Sequence, residues 1–544
     1  MSSMIRGADI VVRALELAGC SQIFTLSGNH IMPIFDAVLG SKLRLLHVRH
    51  EAAAVHMADA WGRLTGQCGI ALVSGGAGHA NALAALATAE AAHAPLVLLS
   101  GHAGLNELGR GAFQELRQAD MAAPVTKAAW TAQTPEGLGG DIARAISTAV
   151  SGRPGPVHVS LPFDVLEARL EMRADFLPPA ETFRAHVQAL EAAAAELVLA
   201  RLREADKPLI LGGPMLCHGD GPALLRKLEA ATGVPSLGME SPRGLNDPCL
   251  GAFAEVLRDA DLVILLGKPL DFTLRFGEAP HVAPQCRFIG IDPEVRPLAR
   301  LARDKGERVL LQANADAAIA AETLIARAPA PARDGAWRQE VAAALAYRPS
   351  AWSHLRSAAA GKLHPIELCR TLVPQVEGNA DGVLICDGGE IGQWPQAVLA
   401  PRRRLINGTA GAIGAAIPFA LAARLAEPRA PVIAVMGDGS FGFHMAEFDT
   451  AVRYDLPFVA VVGNDATWNA EHQIQIRNYG ADRTHSCRLL PTRYDLVATA
   501  LGGHGEYVTA PDQLAAALAR AFAAGKPACL NVMIEGVPAP TFKR

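Results

Sequence analysis

Short apolar runs alternate with longer stretches of helical spacing along most of the chain. In the first third, IFTLSG, LRLLHVRH, CGIALVSGG, APLVLLSGH and GPVHVSLPFDV are rich in branched residues and bounded by Gly, Ser or Pro, which predicts buried strands. Helical patterns lie between them, for instance over 51–65 and 80–92. Strand–helix alternation of this kind predicts parallel sheets covered on both faces by helices. A proline-bearing break, Asp175-Phe176-Leu177-Pro178-Pro179, closes the block. A second block opens with an Ala/Glu/Leu helix over 188–204, carries strands at PLILGG, ADLVILLG and CRFIGID, and ends at Ala328-Pro329-Ala330-Pro331-Ala332. A third block has strands at GVLICDGG, APVIAVMGDG, PFVAVVGND and ACLNVMIEG. The expected fold class is α/β, with three doubly wound parallel-sheet domains over 1–176, 188–328 and 355–544. The first and third share length and rhythm, so they are expected to be related sheets.

Composition narrows the picture. A chain of 544 residues exceeds one core, and with half its residues hydrophobic and 19% charged it reads as a well-buried globular enzyme. The net charge of −4 gives no general attraction to nucleic acid or anionic membrane. The run Arg402-Arg403-Arg404 reads as a solvated loop rather than a phosphate track. Nine cysteines are scattered without a CxxC pair, which argues against a disulfide framework or a zinc site and fits a cytoplasmic protein. The polar N-terminus shows no signal-peptide core. Two long uncharged stretches, 66–89 and 405–423, carry glycine, polar or proline breaks and read as strand, turn and helix rather than as membrane spans.

The strongest chemical signal lies in the third block. An apolar strand ends in Gly437-Asp438-Gly439-Ser440, a helical segment follows, and a second apolar strand ends in Asn464-Asp465. Asp438 and Asp465 stand 27 positions apart, each just after a strand's carboxyl end, where open α/β sheets bind ligands. Hard oxygens there suit magnesium held together with substrate phosphates. Gly439 and Ser440 let backbone N–H groups approach a diphosphate. Alone, GDG is equally a strand-to-helix turn, and the second acidic strand end favours the binding reading. In the first block, HVRHEAAAVHMADAWGRLTG has a strand end followed by Glu51 opening a helix. A carboxylate there is ordinarily a cap or dipole partner.

Together these segments resemble the thiamine-diphosphate-dependent decarboxylase and carboligase family, in particular acetolactate synthase and benzaldehyde lyase. The third-block segment resembles the family's cofactor motif, and 49–66 its glutamate helix. The resemblance implies thiamine diphosphate and Mg2+ as cofactors, with Asp438, Asp465 and the Thr467 carbonyl as metal ligands. It departs from the family at Asp465, where asparagine is usual. Glu51 would hydrogen-bond N1′ of the cofactor's pyrimidine from a buried position, making the 4′-amino group basic enough to take the weakly acidic C2 proton. Ser74-Gly75-Gly76-Ala77-Gly78 with Asn81 resembles the turn facing the aminopyrimidine, with Gly76 where proline is usual. Gly408-Thr409-Ala410-Gly411-Ala412-Ile413-Gly414 resembles the turn that bends the cofactor, with Ile413 as apolar wedge and the Gly411 carbonyl as acceptor. Asp387-Gly388-Gly389-Glu390 resembles the segment where the family's other diphosphate contacts lie, with Gly389 and Glu390 as cofactor-binding residues.

On the substrate side, His30 and Gln114 occupy places of a relay histidine and a carbonyl-binding glutamine in these relatives. His30 is alternatively a histidine that only satisfies backbone groups. Lys127 reads as structural, and Phe441, Trp468 and Trp394 read as core or pocket wall. The segment 270–275 departs from the flavin-contacting stretch of acetolactate synthase, so flavin is not expected. The resemblance implies a carbon–carbon lyase or carboligase acting on 2-hydroxyketones, aldehydes or 2-oxoacids. A 2-hydroxyacyl-CoA lyase, a 2-oxoacid decarboxylase and a catalytically silent regulatory paralogue stand as alternatives. It also implies a homodimer or homotetramer with active sites between subunits.

Overall fold

The computed structural model describes residues 4–329, 335–379 and 381–544; of the second linker, Ala330, Pro331 and Ala332 lie outside the described residues. The chain separates into two compact units, 1–186 with 421–426, and 187–420 with 427–544.

The first unit holds a six-stranded parallel sheet. Its strands run, in spatial order, Arg44–His47, Gln22–Thr25, Gly69–Val73, Leu96–His102, Pro156–Pro162 and Ala128–Thr131. The central strands are buried at every position, because helices cover both faces, which is why they read as unbroken apolar runs. A short antiparallel pair, Met4–Arg6 with Arg169–Glu171, was not foreseen.

The second unit holds two parallel sheets. The five-stranded one is ordered Ser236–Gly238, Pro208–Gly212, Leu262–Leu266, Arg287–Asp292 and Val309–Asn314. The six-stranded one is ordered Arg403–Ile406, Val383–Cys386, Val432–Gly437, Val459–Asn464, Ala528–Met533 and His504–Val508. Numbered along the chain, the two six-stranded sheets follow one winding scheme, second-first-third-fourth-sixth-fifth, as expected for related sheets.

Both uncharged stretches resolve as read: Gly69–Val73 then Ala77–Ala91, and Arg403–Ile406 then Ala416–Ala426. Among the described residues no helix is long and apolar enough to cross a membrane. The arginine run differs from expectation. It forms part of a strand, and Arg404 is sequestered, its Nη2 donating to Glu240 Oε1 at 3.0 Å and lying 3.6 Å from Asp247 Oδ2. His218 Nε2 approaches the other Glu240 oxygen at 2.7 Å. A charged run whose last residue finds buried acids is a packing device, which composition does not reveal.

Candidate active site

In the second unit, a cavity of about 300 Å³ opens at the carboxyl ends of the Val432–Gly437 and Val459–Asn464 strands. Gly389, Glu390, Gly411, Ile413, Gly437, Asp438, Gly439, Ser440, Asp465 and Thr467 all line it. Asp438 is 2% exposed, and its Oδ2 has no hydrogen-bond partner among the described residues. Burial pushes its carboxyl up to about 6, against partial offset from nearby backbone N–H groups. Burial first, and then the Asp438 charge, push Asp465 to about 7. A buried and a half-buried acid close enough for one charge to raise the other form a coupled pair, only partly offset by Lys362.

The loop after Asp465 is held in an unusual conformation. Ala466 has φ +58, and its N–H donates to Asn464 Oδ1 at 3.1 Å. Thr467 forms an antiparallel bridge with Arg488. The bridge's bonds run through its neighbours, from Trp468 N–H to the Cys487 carbonyl and from Leu489 N–H to the Ala466 carbonyl, both at 2.7 Å. The Thr467 carbonyl is therefore left out of the ladder. Gly439 faces the Trp468 ring so closely that a Cβ there would lie 2.4 Å from Cζ3. Trp468 is a cavity wall. Phe441, fully buried against Phe448 and Tyr494, and Trp394, against Trp352 and His364, are core.

Asp387, which opens the segment expected to carry further diphosphate contacts, fixes the opposite wall. Its carboxylate accepts the N–H groups of Gly388, Gly414 and Ala416 at 2.7, 3.0 and 3.0 Å. This staples the turn carrying Gly411, at φ +68, and Ile413 to the end of the Val383–Cys386 strand. A Cβ on Gly388 would lie 2.6 Å from Ile413 Cγ2, so the isoleucine packs over a glycine. The signal available was an acid directly after a buried strand, the same one that marked Asp438.

In the first unit, Glu51 opens the Glu51–Thr65 helix as expected, capped by His50, whose Nδ1 accepts from Ala52 N–H. Its side chain is half-buried rather than buried. Asn81 Nδ2 donates to Glu51 Oε2 at 3.0 Å, and a Cβ on Gly78 would come within 3.3 Å of Oε1. Gly76 has φ +62, a value open to glycine that proline cannot adopt. Gln118, 1% exposed, ties that turn to the sheet. It accepts from Gly76 N–H at 2.8 Å and donates to the Gly101 carbonyl and Ser160 Oγ, each at 3.1 Å. His30 is 4% exposed, lies 3.3 Å from Ser74 Oγ through Nδ1 and stacks on Phe113 at 5.9 Å. Burial lowers its pKa, which favours the neutral ring. Gln114 is half-buried with φ +57. Lys127 is structural, donating to the Thr148 and Ser151 carbonyls at 2.5 and 2.6 Å.

Residues 387–532 match the family described as thiamine pyrophosphate enzyme, C-terminal TPP binding domain, and residues 5–121 match its N-terminal TPP binding domain. A probable acetolactate synthase of Mycobacterium bovis is 32% identical over 536 residues, spanning 97% of this chain and 95% of its own length. The chain belongs to the thiamine pyrophosphate enzyme family.

Other relatives of this thiamine pyrophosphate enzyme carry a different name. A 2-hydroxyacyl-CoA lyase of Oryza sativa is 30% identical over 98% of this chain and 96% of its own length. The human 2-hydroxyacyl-CoA lyase 2 is 28% identical over 93% of this chain and 85% of its own. The cavity's residues fit a hard divalent cation: a buried carboxylate oxygen without a partner among the described residues, a second carboxylate beside it and a carbonyl left out of its ladder. Arg243, also on the wall, went unnoticed in the sequence because it comes from the second block and belongs to no local motif.

Proposed function

We propose that this enzyme makes or breaks a carbon–carbon bond next to a carbonyl, acting on 2-hydroxyketones, aldehydes or 2-oxoacids. The observation that carries the reading is the cavity in which buried Asp438 and its neighbour Asp465 stand among side-chain-free turns at the strand ends. Thiamine diphosphate, when bound, supplies the carbanion equivalent and electron sink that such chemistry needs. Asp438, Asp465 and the Thr467 carbonyl hold Mg2+, while Gly437, Gly439, Ser440, Gly389 and Glu390 border the diphosphate. Ile413 would supply the apolar contact between the cofactor's rings, and the Gly411 carbonyl would accept from its 4′-amino group. Glu51, steadied by Asn81, holds a proton at the pyrimidine N1′, and Gly76 keeps the facing turn free of side chains. Gln114 hydrogen-bonds the donor's carbonyl or hydroxyl oxygen, and neutral His30 passes a proton at the same oxygen.

The domain division at 1–176, 188–328 and 355–544, a cytoplasmic setting, and a homodimer or homotetramer belong to the same proposal. In it, Glu51 of one copy serves the cofactor held by another. A second reading, cleavage of a 2-hydroxyacyl-CoA thioester, is favoured by the lyases that align with nearly the whole chain. The test is Glu51→Gln with thiamine diphosphate and Mg2+, following exchange of the C2 proton by NMR. Exchange at the wild-type rate would remove Glu51 from the mechanism. Screening 2-oxoacids, 2-hydroxyketones and hydroxyacyl thioesters by mass spectrometry separates the two readings.

A further inference from the structure

We infer that Arg243, delivered from the loop after the Ser236–Gly238 strand, is the protein's own cation for the phosphate end of the cofactor. The inference rests on the cavity being the diphosphate site.

Charge balance is the first argument. The cavity is lined by four acids, Glu390, Asp438, Asp465 and Glu471, and Arg243 is the one basic side chain among the lining residues. A diphosphate adds roughly three negative charges, and one divalent cation leaves that total uncompensated. The guanidinium is the group suited to the deficit, since its planar fork matches phosphate oxygens in pairs.

The second argument is that Arg243 is available. Its Nη2 stands 3.6 Å from Glu390 Oε2, beyond the roughly 2.7–2.9 Å of a charge-assisted hydrogen bond. That Glu390 oxygen already accepts the Ala539 N–H. No hydrogen bond from the guanidinium to protein is made among the described residues, and 38% of the side chain is exposed. Glu390 thus steers the arginine without consuming it.

The backbone behind Arg243, by contrast, is fixed on both sides. Glu240 is gripped by Arg404 and His218. Gly244, at φ +56, sits where a Cβ would lie 2.0 Å from the Thr273 carbonyl oxygen, and Thr273 is itself held by buried Lys268 at 2.6 Å. Arg243 N–H donates to Ser241 Oγ at 3.2 Å. A long cationic side chain on an immobilised stem, pointing its unused donors at a cavity, is a binding arm rather than a structural tie.

The experiment is calorimetric titration of thiamine diphosphate and of unphosphorylated thiamine into the full chain with Mg2+, for wild type, Arg243→Ala and Arg243→Gln. Thermal unfolding verifies that each variant is folded. Both variants are expected to bind thiamine diphosphate at least about tenfold more weakly, the scale of one charged hydrogen bond, with thiamine affinity unchanged. Arg243→Gln keeps the stem and a polar end, so it remains informative if the alanine variant folds poorly. Thiamine diphosphate affinity within twofold of wild type in the glutamine variant overturns the inference, as does an equal loss for both ligands. Failure of wild type itself to bind thiamine diphosphate would instead overturn the reading of the cavity.

Discussion

Gly76 and Gln114 compete for one volume: a Cβ on residue 76 would lie 2.5 Å from the Cβ of Gln114, and both residues have positive φ. The missing side chain is what lets the proposed substrate glutamine cross the turn. Gly76→Ala places a side chain in left-handed backbone, at about 1–2 kcal/mol, and adds the overlap. Expected are a lowered thermal midpoint and a raised KM for the donor, read by calorimetry and steady-state kinetics. An unchanged KM would separate Gln114 from the substrate.

Gln118→Leu tests the tie beneath the same turn. It leaves the Gly76 N–H, the Gly101 carbonyl and Ser160 Oγ short of a buried partner, at about 1–3 kcal/mol for each group left unsatisfied. The expected result is a clear loss of stability in urea unfolding.

The two cavity carboxylates should differ sharply. Asp438→Asn neutralises the more buried oxygen pair and is expected to weaken Mg2+-dependent cofactor binding on the order of 100-fold or more. Asp465→Asn restores the side chain usual in the resembling family and keeps a carbonyl oxygen for the metal. Activity should persist, with a higher Mg2+ requirement. Titration of Mg2+ at fixed thiamine diphosphate distinguishes the two.

Metal uptake should depend on pH in a stated direction. Burial raises Asp438 to about 6 and, with the Asp438 charge, Asp465 to about 7, both above the roughly 3.9 of an unfolded aspartate. Between about pH 4 and 7 the folded, metal-free pair holds more protons than the unfolded chain, so its contribution to stability falls as pH rises. Magnesium with thiamine diphosphate replaces those protons. The rise in thermal midpoint on adding them should therefore be larger at pH 8 than at pH 5.5. Asp465→Asn should flatten that difference.

Most of the framework was legible because its interior strands are buried on both faces. The strands that escaped notice were Ala128–Thr131, Ser236–Gly238, Val309–Asn314 and His504–Val508, all at sheet edges, together with the short antiparallel pair. Their half-exposed, mixed positions erase the apolar run that marks a central strand. The cavity residues Asp438, Gly439 and Asp465 were readable because strand end, glycine and acid fall together in the chain. Gln118 and Arg243 were not, nor was the tie Asp387 makes, since these roles arise from partners distant in sequence: the Gly76 turn, the acids of another block and the Gly414 turn.

The shared winding of the two six-stranded sheets assigns each reactive group an address. The second strand of one scheme leads to Glu51, and the second of the other to the Gly411 turn. The third strands lead to the Gly76 turn and to Asp438. In the proposed mechanism one scaffold plan thus carries two unlike toolkits at matching docks, one for protons and the other for metal and phosphate. New chemistry in such an architecture comes from re-equipping those docks, while the girders between them stay as they are.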